Sequence, residues 1–291
     1  MSGFSADWLA LREPHDRRAR SGALEQRLRT WKPSGRAWRV VDLACGTGAN
    51  LRHLAPRLGG TQHWLLVDHD AELVAQLPRL LARWSARSGL SCERNTNKDV
   101  LRLAGPRLDC RARVAQLDLY QALQRAIPSD TQVVVCNALL DLVSAAWLEG
   151  LADRCQALGA ALLCTLSYDG RIRLRPPSPH DAWLRRLVNH HQRGDKGFGP
   201  ALGPTAAEVA RRILEHRGYR VWLAASDWQV GGDYPALQRE LLAGWAQAAC
   251  EQQPTAKRKL RAWSRLRAAA LASGKSRLRV GHQDLLALSP G

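Results

Sequence analysis

The sequence predicts an α/β fold, a doubly wound and mostly parallel sheet with helices on both faces. Three observations predict it. Short apolar runs alternate with segments of helical periodicity along most of the chain. The runs are continuous rather than polar on every second residue, as in strands buried on both faces. Asp42, Asp68, Asp118 and Asn137 lie at or near the ends of four of these runs. Open parallel sheets bind ligands at the carboxyl ends of their strands, where the strand order reverses.

The elements follow in order. Residues 6–31 carry Trp8, Leu9, Leu11, Leu24, Leu28 and Trp31 among charges, and read as one or two amphipathic helices interrupted at Pro14. Ala37–Leu43 is the first strand; a glycine-rich turn and a helix over 50–58 follow. Residues 63–67 form the second strand, and 72–87 a helix that Pro78 bends. Strands are expected at 111–117, 131–136 and 160–166, and Ser144 caps a helix that runs to 158. A helix over 206–217 stops at Gly218 and leads into a strand over 219–225. Residues 278–288 read as a last strand broken at Gly281 and His282. The stretches 167–204 and 233–273 interrupt the alternation. The expected organisation is an N-terminal helical segment, 1–36, and one domain, 37–291, with helical insertions at these two places.

The chain has 291 residues, 45% of them hydrophobic, enough for a sizeable core. No run approaches the roughly 18 apolar residues of a membrane span, and the first residues lack a secretory pattern. A cytoplasmic location is expected. Seven scattered cysteines without a CxxC pair argue against a disulfide framework or a cysteine-rich zinc site, and no metal is expected. The formal charge of +17 attracts anions, although arginine-rich surface usage explains much of it. Nothing in the sequence sets an oligomeric state.

The central motif is Val40-Val41-Asp42-Leu43-Ala44-Cys45-Gly46-Thr47-Gly48. A strand enters a turn of small residues that lets a ligand approach the backbone, and the next helix aims its N–H groups at that ligand. Asp68 ends the following strand, the usual place for a carboxylate that accepts from a ribose diol. A dinucleotide fingerprint would need a third glycine where Leu51 stands, and no Gly-Lys-Ser/Thr follows to make a Walker loop.

The motif resembles motif I of class I S-adenosylmethionine (SAM)-dependent methyltransferases, in the form D-L-A-C-G-T-G. The resemblance extends over most of the chain. It implies seven strands in the order 3-2-1-4-5-7-6, the seventh antiparallel. It implies cofactor contacts from Asp42, Ala44, Gly46, Thr47, Gly48 and Asn50, from Asp68 and His69 at the ribose, from Asp118 and Leu119 at the adenine, and from Asn137 beside the methyl group. SAM is the expected cofactor.

Methyl transfer from a sulfonium needs alignment and exclusion of water. An acceptor protonated at pH 7 also needs a general base. The candidates are His190, His191, Asp195 and Tyr168, with Asp141 behind them. Residues 189–199 hold the densest polar set and read as a mobile lid supplying base and anion anchors, or as a solvated loop. Residues 12–20 read equally as a roof over the pocket or as a charged, solvated face. A basic stretch, Lys257, Arg258, Lys259, Arg261, Arg265 and Arg267, carries an apolar stripe of Leu260, Trp263 and Leu266.

The expected acceptor is a small molecule under the two insertions. No Asn/Asp-Pro-Pro-aromatic segment follows the fourth strand, as base-amino methyltransferases would have it; Asn137-Ala138-Leu139-Leu140 stands there. RNA held by the basic C-terminal helix is the alternative, and a non-catalytic methyltransferase-like binding protein the second. No membrane partner is expected.

Overall fold

The computed structural model describes residues 5–31, 37–95 and 100–289. The expected boundary at residue 36 lies outside the described residues. Two helices precede the sheet, α1 (Ala6–Ala19) and α2 (Gly22–Trp31). The sheet then alternates through β1 (Ala37–Leu43), α3 (Ala49–Leu58), β2 (Gly60–Asp68) and α4 (Ala71–Arg87). Next come β3 (Ser91–Asn95), β4 (Val100–Gly105), β5 (Leu108–Gln116), α5 (Leu119–Ala126), β6 (Val133–Asn137) and α6 (Ala145–Leu158). The chain ends with β7 (Ala161–Arg175), α7 (Asp181–His191), α8 (Ala206–His216), β8 (Arg220–Ala225), β9 (Trp228–Val230), α9 (Pro235–Gln252), α10 (Lys257–Ala272) and β10 (Arg277–Leu288).

Among the described residues the sheet has ten strands, not the expected seven, in the order β3-β4-β5-β2-β1-β6-β7-β10-β8, with β9 on β10. Seven of them, β5-β2-β1-β6-β7-β10-β8, reproduce the order 3-2-1-4-5-7-6. β10 runs antiparallel to both neighbours, while β5, β2, β1, β6 and β7 are parallel. The added β3–β4 pair extends one edge in antiparallel fashion. Its outer strand, Ser-Cys-Glu-Arg-Asn, is polar and mostly exposed, so it carries no hydrophobic signal, and its charges suit an open edge.

The two prolines expected to interrupt or bend helices stay inside them. Pro14 lies within α1 and Pro78 within α4. The face of α4 that carries Leu73, Leu77, Leu81 and Ser85 remains continuous and buried. β7 runs nine residues beyond its expected end. Gly170, Ile172 and Leu174 turn inward while Arg171, Arg173 and Arg175 turn outward, a period of two. The break expected at Gly281 is a register shift between Val280 and His282. A side chain at 281 would lie 2.2 Å from Asp169 Oδ1, so the strands need glycine there.

Three hydrophobic clusters follow. One lies between the sheet and α2, α3 and α4, and another between the sheet and α5, α6 and α8. The third covers the extended part of β7 and β10 with α7, α9 and α10, and takes in Trp8 and Leu11 of α1. The two insertions therefore meet in one packed layer. Among the described residues no helix is long and apolar enough to cross a membrane.

Asp284 of β10 ties the N-terminal helices to the sheet. It is buried, and its carboxylate accepts from Ser21 N, between α1 and α2, and from Leu166 N, each at 2.8 Å. Asp284→Ala would leave two N–H groups without this partner, at a cost of about 2–6 kcal/mol. Denaturant unfolding should show that loss, and hydrogen exchange should rise across residues 6–21 beyond the global change.

Candidate active site

β1, β6 and β7 are neighbours, and each departs from regular strand geometry at a non-glycine residue of positive φ: Ala44 (51°), Ala138 (53°) and Leu166 (57°). Such conformations cost about 1–3 kcal/mol each and gather at functional sites. Here Ala44 and Ala138 directly follow the ends of β1 and β6, and Leu166 lies within β7 beside them. The strand order reverses between β2 and β6, on either side of β1.

The glycine turn lies at this point. Gly46 and Gly48 have φ of 53° and 80°. Gly46 N donates to Asp68 Oδ2 at 2.7 Å, and Asp70 N to Asp68 Oδ1 at 3.0 Å. Asp68 is thus clamped against the turn from the neighbouring strand. A Cβ on Gly46 would stand 3.0 Å from Leu9 Cδ1, and one on Gly48 3.0 Å from Leu77 Cδ2.

Leu9 belongs to α1, which lies across the edge. Leu9, Glu13 and Asp16, with Arg20 just beyond the last turn, share one face at spacings of four and three. Glu13 accepts from Arg52 at 2.6 Å, and Arg52 also bonds the Thr47 carbonyl. Asp16 accepts from Arg12 Nε at 3.0 Å and from Asn137 Nδ2 at 3.2 Å. Arg20 Nη2 donates to Asn50 Oδ1 at 2.5 Å, and Asn50 Nδ2 to Asp42 Oδ1 at 2.7 Å. Arg12, His15, Asp16 and Arg20 are all buried, which corrects the alternative of a solvated face.

Among the described residues, two buried atoms in this chain of contacts have no partner: Asp42 Oδ2 and Arg20 Nη1. Burial raises the Asp42 pKa to about 7, against the Asn50 hydrogen bond and the Arg20 charge. Burial also lowers that of Arg20.

A second polar wall adjoins α1. Asp141, in the 3-10 turn Leu140–Leu142, is buried and its Oδ1 is unpartnered. Burial lifts its pKa to about 6, opposed by the backbone N–H groups of Asp141 and Tyr168 and by Arg12. Tyr168 donates its hydroxyl to Asn189 Oδ1 at 2.7 Å, and burial raises its pKa. The Arg12 guanidinium stands 5.0 Å from the Trp228 ring centre, and the His282 ring 4.9 Å from it. Burial and then Arg12 push His282 down to about 3, so its imidazole is neutral at pH 7. Ser167 Oγ, Trp228 Nε1 and His282 Nδ1 are buried and unpartnered.

The expected residues divide accordingly. Asp42, Ala44, Gly46, Thr47, Gly48, Asn50, Asp68 and Asn137 gather at the edge beneath α1. His69 is exposed beside Asp68. Asp118 is exposed and caps α5, accepting from Tyr120 N at 2.8 Å, while Leu119 is buried. Of the four catalytic candidates, Tyr168 stands next to this group and the others do not. His191 Nε2 pairs with Glu251 Oε2 of α9 at 2.9 Å, and His190 is exposed. Asp195 accepts from Gly197 N and Gly199 N, folding its own loop. The physical reason is the helical period: on the last turn of α7, Asn189 faces Tyr168 and His191 faces α9. The loop is also pinned rather than free. Phe198 packs on Trp147, with ring centres 5.2 Å apart, and Leu202 N donates to Val143 O at 2.8 Å. Among the described residues no group of three or more metal-ligating side chains gathers.

No family model matches the chain, and no curated protein matches it by sequence. Solved structures resemble it at low identity. The cyclopropane synthase MmaA2 of Mycobacterium tuberculosis aligns over 98% of this chain and 94% of its own, at 12% identity and TM-score 0.48. A SAM-dependent methyltransferase of Geobacter sulfurreducens in complex with S-adenosyl-L-homocysteine aligns over 100% of both chains, at 16% identity and TM-score 0.42. One from Thiobacillus denitrificans, in complex with the same compound, aligns over 99% of both, at 12% identity and TM-score 0.42. The strand order and the glycine turn after β1 are those that the resemblance to class I SAM-dependent methyltransferases implies.

Asp141 offers a test of the electrostatics. Its folded pKa is raised, so its favourable contribution is full below the unfolded value near 4 and is lost as pH rises through about 6. Asp141→Asn should therefore raise the melting temperature relative to the parent more at pH 8 than at pH 5. An equal change at both pH values would contradict the assignment.

Proposed function

We propose that this protein binds SAM and transfers its methyl group to a small-molecule acceptor. One observation carries the reading: an unpartnered carboxylate oxygen, Asp42 Oδ2, and an unpartnered guanidinium nitrogen, Arg20 Nη1, are buried on one hydrogen-bonded chain beside the glycine turn. An amino-acid zwitterion complements that pair, its ammonium for Asp42 and its carboxylate for Arg20. The methionine end of SAM is such a group.

When bound, SAM supplies an electrophilic methyl group on a sulfonium with a neutral leaving group. The residues around it hold and shield. Gly46, Thr47 and Gly48 let the backbone close on the ligand, and the N-terminal N–H groups of α3 face it. Asp68 retains acceptor capacity for a ribose diol after its two backbone bonds. Asp118, Leu119 and His69 border the adenine and ribose side, and Asn137 the methyl side. α1 excludes water from the edge, which favours an enclosed small acceptor over a nucleic-acid strand.

Asp141 is the residue we assign to accept the acceptor's proton. It has an unpartnered oxygen, and its pKa of about 6 lies close to working pH, where a general base is most effective. Tyr168, hydrogen-bonded to Asn189, positions the adjoining wall.

Calorimetric titration with SAM tests the reading. Wild-type protein should bind, and Asp42→Asn, Arg20→Ala and Asp68→Ala should each weaken binding by about tenfold or more, the loss of roughly 1.4 kcal/mol. Asp42 takes up a proton as pH falls through about 7, so wild-type affinity should decline from pH 8 to pH 6 while that of Asp42→Asn stays level. A wild type that binds no SAM at any pH would sink the proposal. Binding without turnover on any acceptor would point to a non-catalytic role.

A further inference from the structure

The far end of β7 opens onto a cleft of about 730 Å³, within the range of small-ligand sites. Its wall is cationic: Arg173 and Arg175 of β7, Arg185 of α7, and Lys275 at the turn into β10. Among the described residues none of the four has an ion-pair partner. Asp181 is the acid of the cleft, and it is already engaged. Its carboxylate accepts from Arg267 Nη2 at 2.9 Å, from Trp263 Nε1 at 2.9 Å and from Ser178 N at 2.8 Å.

The strand register sharpens this excess. Arg173 stands directly opposite Arg279 of β10, and Arg175 opposite Arg277. Like charges in directly opposed positions destabilise a sheet. At one end Asp227 relieves them, pairing with Arg171 at 2.7 Å and Arg279 at 2.6 Å. Among the described residues Arg277 bonds only the carbonyls of Gly274 and Ser276, at 2.8 Å. Arg173 and Arg175 are left facing the cleft.

The cleft leads back to the candidate active site along α7. Asp181, Arg185 and Asn189 repeat at i, i+4 and i+8, on one face of the helix. Asn189 takes the Tyr168 hydroxyl, and the Arg185 charge acts on the same phenol. From Tyr168 to Ile172, the first cleft residue of β7, is about 13 Å of strand.

We propose that this cleft is a phosphate site and that the methyl acceptor carries the phosphate it holds. Arginine forks match the oxygens of a phosphate ester, and the bound anion offsets the opposed arginines of β7 and β10. The acceptor then reaches from the cleft to the carboxyl edge beside Tyr168. The acceptor half rests on the methyltransferase reading; phosphate binding does not.

Two experiments separate the halves. In the first, inorganic pyrophosphate and a short oligo(U) strand are titrated into SAM-free protein. Wild type should bind pyrophosphate, Arg173→Thr and Arg185→Ala should weaken it about tenfold or more, and Arg83→Ala on α4 should leave it unchanged. Arg173→Thr should melt no lower than wild type, because a like-charge pair is relieved. Binding of oligo(U) alone, lost in the same variants and falling steeply with salt, would assign the phosphate to a nucleic-acid backbone and overturn the small-acceptor half. No binding of either probe, or binding unaffected by the cleft variants, overturns the site.

In the second, SAM turnover is followed on a pool of cell metabolites before and after phosphatase treatment. Turnover abolished by phosphatase supports the acceptor half; turnover that survives, or is absent from both pools, overturns it. Failure to bind SAM while pyrophosphate still binds would be failure of the methyltransferase reading and not of the phosphate site.

Discussion

The buried chain Arg20–Asn50–Asp42 is the constraint on which the rest of the site depends. A guanidinium and a carboxylate taken out of water cost several kcal/mol each unless they are hydrogen-bonded and compensated. Asn50 compensates part of the cost by bonding both partners. Among the described residues one oxygen of Asp42 and one nitrogen of Arg20 are left over, and the proposed zwitterion complements them. The network also spans three separate pieces of chain: the end of α1, the first turn of α3 and the end of β1. Whatever holds one holds all three.

The position of α1 follows from the same physics. Its inward face is largely polar, with Glu13, Asp16 and Arg20 making specific bonds and Leu9 alone packing on the glycine turn. Hydrophobic burial therefore contributes little to its seat on the carboxyl edge; on the other side, Trp8 and Leu11 anchor it to the layer formed by α7, α9 and α10. Asp284 fixes its far end through Ser21. A helix held by directional bonds rather than by an apolar seam is suited to cover a site whose occupant completes those bonds. The same arrangement explains why polar atoms of Asp141, Ser167, Trp228 and His282 are buried without partners in one neighbourhood.

The charge of the protein is likewise not spread evenly. Glu208 and Glu215 serve Arg211 on α8, and Asp227 and Asp169 serve one end of the arginine ladder on β7 and β10. Among the described residues the other end of that ladder has no such acid, and Asp181 serves Arg267 of α10. α10 packs Trp263 and Arg267 against the segment around Asp181 and leaves Arg258, Arg261 and Arg265 outside; of its expected apolar stripe Trp263 is buried and Leu260 partly buried, while Leu266 is exposed.

The sequence by itself determined the central strands of the sheet, the glycine turn and the acids near their ends. These are local: β1 and α8 are legible from runs and periods, Gly46 and Gly48 from the sharp turn, and Asp42 and Asp68 from their places at strand ends. The β3–β4 edge was not legible, because an exposed polar strand has no period to read. The continuation of β7 was hidden by arginines that alternate with apolar residues ahead of a proline-rich turn. Tertiary structure alone decided which polar residues serve the site. The helical phase of α7 turns His191 to Glu251 and Asn189 to Tyr168. The fold brings Arg12, Asp16 and Arg20 from α1, and His282 and Asp284 from β10, to strand ends far away in sequence. A charged residue carries no mark of being buried until its partner is known, and those partners are set by how the chain packs.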